Sequence, residues 1–281
     1  MPTPEQVRTY QQKQAENMAK QEARAHVLSI LSTHDIAKKV YPPKNWFVNS
    51  LIPQGLTTIA GQSKVGKSWM LMQIALAISS GGIVFGNLRC QRADVLYLAR
   101  EDEPVSIQER MKYMAAKPNR DCYVDDTTKI VLSNLEMYLD EMPTIQVVII
   151  DTMVRFLADQ NINYNSYGEV DKVAGILKEI AKKREISIIA CTHTKKGAKA
   201  EEGIDGVMGS KALVAVSDAV LMLTRPWDKE KNSYGYEGSM YVTGRSVRER
   251  TIELERTENW LWLDKNAEKP PTSLEEFNNF E

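Results

Sequence analysis

The sequence predicts an α/β fold: a mainly parallel sheet with helices on both faces, an antiparallel C-terminal extension and a helical N-terminal arm. Three observations predict it. Short continuous apolar runs recur along the chain, as in strands covered on both faces. They alternate with helical stretches, the order that parallel crossovers require. And Gly61-Gln62-Ser63-Lys64-Val65-Gly66-Lys67-Ser68 fits G-x-x-x-x-G-K-[ST] between one such run and an apolar helix.

Bulk properties set the bounds. The chain has 281 residues, 43% hydrophobic and 26% charged, with a formal net charge of −1. That composition is ordinary for a globular protein with one large α/β core. No apolar run reaches the roughly 20 residues needed to cross a bilayer, and the polar N-terminus lacks a signal-peptide core. Cys90, Cys122 and Cys191 are far apart with no C-x-x-C pair, which argues against a zinc site or disulfide framework and fits a reducing cytoplasm. With a near-neutral total, nucleic-acid binding has to come from local patches.

The elements follow in order. Residues 4–40 read as helical, but Gln6–Arg24 lacks the apolar stripe of a docked helix, so it is a solvated arm or a piece that binds a neighbour. Val27, Leu28, Ile30 and Leu31 begin an apolar face. Tyr41-Pro42-Pro43 breaks the helix, which sets the boundaries at 1–43 for the arm, 44–265 for the α/β domain and 266–281 for a polar tail with Pro270-Pro271. Strands are expected at Leu56–Ala60, Asp94–Ala99, Val147–Ile150 and Ser187–Cys191. Helices are expected at Lys67–Ser79, Val105–Ala115, Thr128–Glu141 and Glu169–Lys183. Asp218–Leu223, Ser239–Thr243, Thr251–Glu255 and Trp260–Leu263 read as the antiparallel extension. Met70, Leu71, Met72 and Ile74 read as core, and the five tryptophans show no stacking array.

The chemistry is read from the strand ends, because ligands of open α/β sheets bind at the C-terminal strand edge. Gly61–Ser68 form a phosphate cradle: glycines turn backbone N–H groups toward the anion, and the helix starting at Lys67-Ser68-Trp69 adds unpaired donors and a partial positive charge. Lys67 reaches the β- and γ-phosphates and Ser68 holds Mg²⁺. Asp151, ending an apolar strand, is expected to organise the metal, usually through a water. Glu101 is the candidate for the base or water-positioning group, with Asp102 as the alternative. Thr192 or His193 is placed to sense the γ-phosphate.

Taken together, this order resembles the RecA-type ATPases, and within them the RepA-like branch named for a ring-forming plasmid replicative helicase. The phrases that carry the resemblance are Gly61–Ser68, Val95–Ala99 followed by Glu101-Asp102, Ile150-Asp151-Thr152 with Arg155-Phe156, His193 followed by Lys196-Gly197-Ala198, Gly209-Ser210 before Asp218, and Thr243-Gly244-Arg245. It covers about Trp46 to Leu263 and leaves the arm unmatched. It implies a RecA-like P-loop core that uses ATP and Mg²⁺ as a homo-oligomer, a hexameric ring with the nucleotide between subunits. Arg245 resembles the finger that the neighbour supplies, with Arg248 and Arg250 as competitors; Thr243 stands where ring-helicase relatives often carry lysine. Two polar loops, about 155–168 (Arg155, Asn161, Asn163, Tyr164, Asn165) and 195–211 (Lys195, Lys196, Lys199, Lys211), resemble elements that face the pore and grip single-stranded DNA. Glu201, Glu202 and Asp205 dilute the second. The implied activity is a DNA helicase or translocase in replication; the alternatives are an ATP-gated loader that recruits a replication or recombination protein through the arm, and a recombinase-like filament.

Overall fold

The computed structural model describes residues 4–117, 119–194, 211–228, 230 and 232–267. The chain divides into two compact units, Met1–Pro43 and Lys44–Glu281. The first contains α1 (Pro4–Ser29) and α2 (Thr33–Lys38). A capping box starts α2: the Ser32 hydroxyl accepts from the Asp35 N–H, and the Asp35 carboxylate accepts from the Ser32 N–H. No residue of α2 is buried, and Leu28 and Val40 are 87% and 93% exposed.

The second unit is built on a nine-stranded sheet: β1 (Gly55–Gly61), β2 (Asp94–Ala99), β3 (Cys122–Asp125), β4 (Ile145–Asp151), β5 (Ser187–His193), β6 (Ala219–Thr224), β7 (Glu237–Thr243), β8 (Arg250–Arg256) and β9 (Trp262–Asp264). The strand order is β9-β8-β7-β6-β1-β5-β4-β2-β3. Strands β6, β1, β5, β4, β2 and β3 run parallel, and β7, β8 and β9 add antiparallel pairs. Alternate residues of the central strands face opposite layers. Val95, Tyr97, Val147, Ile149 and Ile189 enter a core with α3 (Lys67–Ser80) and α4 (Pro104–Tyr113). Leu96, Leu98, Val148, Ile150 and Ile188 enter a second core with α5 (Leu135–Glu141), α6 (Met153–Ala158), α7 (Tyr167–Lys183) and α8 (Lys211–Val216). That two-sided burial explains the continuous apolar runs. The mainly parallel sheet with its antiparallel end is the expected fold class.

Several local expectations are corrected. Asp218–Leu223 belongs to the antiparallel extension on one side only: β6 pairs antiparallel with β7, Leu221 opposite Val242, but parallel with β1, Leu221 opposite Ile59. The stretch 128–134 is irregular, because local polar bonds compete with helix there. The Thr127 N–H donates to Asp125 and the Val131 N–H to Asn134. The supposed loop 155–168 is shorter, since α6 runs to Ala158 and α7 begins at Tyr167. Strand β3, short and half-exposed, carries no apolar run to reveal it; Arg100 ties it down by an ion pair to Asp125 at 2.9 Å. The tryptophans also stack. Trp69 and Trp260 lie 4.6 Å apart between ring centroids, and the Arg256 guanidinium sits 4.0 Å over Trp260. These partners are far apart in sequence, so spacing gives no sign of them. Residues 195–210, with Lys195, Lys196, Lys199 and the acidic Glu201, Glu202 and Asp205, lie outside the described residues, as does the tail from 268.

One buried polar pair fastens β9 to α3. Gln73 donates to the Trp262 carbonyl and accepts from the Trp262 N–H, each at 2.9 Å. Gln73→Leu leaves both backbone groups buried and unpaired, so we expect a loss of roughly 2–4 kcal/mol of stability in denaturant unfolding; an unchanged midpoint would show that the pair is dispensable.

Candidate functional site

The C-terminal edge of the parallel strands gathers most of the residues that the sequence singles out. Gly61 ends β1, and a Cβ there would come within 2.6 Å of the Leu223 carbonyl, so only glycine lets the strand leave the sheet this way. Gly66 precedes α3 in the left-handed region at φ 106°. No side chain caps α3 and its first turn holds no acid, so its leading N–H groups remain anion donors. The cradle is braced from the C-terminal part of the chain. Arg225 donates to the Val65 carbonyl at 3.2 Å, Tyr234 to Gln62 Oε1 at 3.1 Å and to the Ser63 carbonyl at 3.3 Å, and Trp262 Nε1 to the Gly66 carbonyl at 3.3 Å. Sequence reading misses all three braces, since nothing in the spacing of Arg225, Tyr234 or Trp262 marks them as neighbours of the cradle.

Lys67 is buried, and its Nζ donates to the carbonyls of Gly61 (2.9 Å) and Gln62 (2.8 Å) and meets His193 Nδ1 at 3.1 Å. Burial lowers its pKa, opposed by the fields of Cys191, Asp151 and Glu101. His193 ends β5, beside β1. Burial and the Lys67 charge hold its pKa below the usual value; the neutral ring accepts at Nδ1 and carries its proton on Nε2. Thr192 is buried, and its hydroxyl shares a hydrogen bond with Tyr164. Tyr164 is partly buried and packs on the core.

Asp151 is 3% exposed at the end of β4. Its Oδ2 accepts from the Tyr97 hydroxyl at 2.6 Å, while Oδ1 has no hydrogen-bond partner. Burial raises its pKa, against the lowering pull of Tyr97 and Ser68. An orphaned buried carboxylate oxygen beside the Ser68 hydroxyl fits Mg²⁺, which takes one or two protein oxygens and completes its shell with water and phosphate.

The two acidic candidates after β2 separate cleanly. Glu101 Oε1 accepts from the Thr152 hydroxyl at 2.7 Å, next to Asp151. Asp102 is consumed by Arg110 in a bidentate pair at 2.9 and 3.0 Å. Glu101 therefore lies against Thr152, beside Asp151, whereas Asp102 is engaged by Arg110. A cavity of about 400 Å³ opens here, lined by Lys67, Ser68, Trp69, Arg110, Arg256 and Trp260 among others. Burial, then the nearby Arg225 charge, lowers the Arg256 pKa to about 9.

Arg245 stands apart from this group. Thr243 pairs with Val220 at the start of β6, and Arg245 donates to the Ala215 carbonyl at 2.9 Å. It lies at the opposite sheet edge from its own cradle and is exposed. Of its competitors, Arg250 donates to the Ser50 carbonyl at 2.8 Å, and Arg248 is exposed.

Comparison with known proteins accords with the fold. A family profile described as an AAA domain matches residues 21–199. Among solved structures, one described as an ATPase domain superposes with a TM-score of 0.56 at 12% identity, covering 75% of this chain and 84% of that one. A KaiC-like protein from the hyperthermophilic archaeon Pyrococcus horikoshii OT3 superposes with a TM-score of 0.57 at 10% identity, covering 78% of this chain and 93% of that one. No curated protein gives a significant match. The likeness in structure is one of fold.

A neutral His193 predicts a pH effect. Its folded pKa lies below the unfolded one, so the unfolded chain takes up the proton first as pH falls through about 6.5, and stability is lost below that point. Between about pH 7 and pH 5, the wild type should lose more thermal stability than His193→Asn; equal losses would mean that the imidazole is not held neutral.

Proposed function

This chain belongs to the AAA-domain family and folds as a RecA-like P-loop ATPase, and from that premise we propose that it is a Mg²⁺-dependent ring motor of the RepA-like branch, hydrolysing ATP between subunits and moving along single-stranded DNA. In this reading Lys67 neutralises the β- and γ-phosphates and the N–H groups from Gly61 to Trp69 cradle them. Ser68 and Asp151 hold Mg²⁺, which supplies charge neutralisation when bound. Glu101 orients and deprotonates the attacking water, and its bond to Thr152 fixes its direction. His193, uncharged and touching Lys67, registers the γ-phosphate.

The observation that carries the reading is the separation of Arg245 from its own P-loop. A guanidinium at the far edge of the sheet has no route to the phosphates of the same chain, so it serves a neighbour's, as a closed ring of identical subunits provides. Grip on DNA is assigned to the stretch after α6 and to residues 195–211. The short stretch 159–166 carries no Lys or Arg, which leaves phosphate contacts to the lysines of the second loop.

A second reading, an ATP-gated loader for a replication or recombination protein, is favoured by one observation. The first unit leaves Val27, Leu28, Ile30 and Val40 more than 60% exposed, an apolar set suited to a partner.

Two measurements decide. Single-stranded DNA should raise ATP turnover by about tenfold, and a forked duplex should be unwound; no stimulation, with a partner captured through residues 4–40, would favour the loader. Arg245→Ala subunits, inactive alone, should regain turnover when mixed with Lys67→Ala subunits that keep Arg245; if mixing restores nothing, the finger does not act in trans.

A further inference from the structure

Arg110 joins two parts of the site that the mechanism treats separately. It is 8% exposed. In its plane, the guanidinium grips Asp102 through two bonds. Its Cζ lies 5.4 Å from the centroid of the Trp69 ring, over which it sits, and Nε has no hydrogen-bond partner. A planar guanidinium does both at once, in-plane to a carboxylate and face-on to an aromatic, which an ammonium cannot. Both contacts end next to the chemistry. Trp69 follows Ser68 directly and lines the cavity at the cradle. Asp102 follows Glu101 directly, and Glu101 reaches across to Thr152 beside Asp151. Trp69 packs in turn against Trp260 and Tyr113, which places Arg110 in contact with an aromatic cluster that borders Ser68.

We propose that Arg110 is a positioning residue, which transmits occupancy of the cradle at Ser68 and Trp69 to Glu101 through Asp102, so that the water-activating carboxylate is set only when nucleotide is bound. The proposal rests on the reading of Glu101 as the water-activating group. Its ends are fixed by adjacency in the chain, and its middle by a geometry that only arginine supplies. The role is distinct from the phosphate-binding and finger roles, since Arg110 spends its charge on Asp102.

The experiment uses the full chain and compares Arg110→Ala, Arg110→Lys, Asp102→Asn and Glu101→Gln by turnover at saturating ATP and by calorimetric Kd for Mg·ATP. Arg110→Ala and Asp102→Asn should each lower kcat by about tenfold or more while Kd stays within about threefold, and the double variant should be no slower than either single one. Arg110→Lys should resemble Arg110→Ala; if the alanine variant fails to fold, the lysine and Asp102→Asn variants carry the test. A loss confined to Kd, multiplied losses in the double variant, or full activity with lysine would overturn the relay. An inactive Glu101→Gln beside a normal Arg110→Ala would overturn the relay and leave the role of Glu101 intact. Normal turnover in Glu101→Gln would remove both.

Discussion

The site depends on a buried ammonium satisfied only by neutral acceptors. Lys67 is fixed by two carbonyls and an imidazole, and none of its bonds goes to a carboxylate. Asp151 and Glu101 act on it through their fields rather than by pairing. Burying a cation whose direct bonds go only to neutral acceptors is costly, and a polyphosphate at the cradle would bring full negative charge into contact with it. The same edge holds a carboxylate oxygen without a donor, and a helix start without a side-chain cap. In the proposed function, a magnesium-bound triphosphate would bring negative charge to Lys67 and the helix start and a cation to the carboxylate.

What holds that arrangement is the C-terminal third of the chain. Strands β8 and β9 bring Arg256, Trp260 and Trp262 to the cradle, and Gln73 locks β9 onto the helix that begins with Lys67. At the far edge, Asp218 accepts from the Leu56 N–H and from Lys178, while its carbonyl accepts from the Ser246 N–H. That knot anchors the turn carrying Arg245 to the start of β1. Cradle and candidate finger thus lie at opposite ends of one continuous sheet, joined through the paired strands β1, β6 and β7.

Much of this is legible in the sequence, for physical reasons. Strands buried on both faces must be apolar throughout, so β1, β2, β4 and β5 stand out and their polar ends mark the site. Asp151, Glu101 and His193 are polar residues at or just past the ends of such runs. The orientation of β6 is not legible, because a buried strand looks alike in either direction. Nor is the choice between Glu101 and Asp102, which turns on Arg110 one helix later. The tryptophan–arginine stack is invisible because Trp69 and Trp260 meet only through the folding of β8 and β9 over α3. Phrases close in sequence reveal chemistry; packing between distant segments reveals how that chemistry is held.

The central claim, that Lys67 is preorganised for a triphosphate, is tested most directly by thermal unfolding of wild type and Lys67→Met with and without Mg·ATP. Binding to the folded state alone should raise the wild-type midpoint by several degrees at about a hundredfold excess over Kd, and leave Lys67→Met unmoved. An equal rise in both proteins would contradict the account.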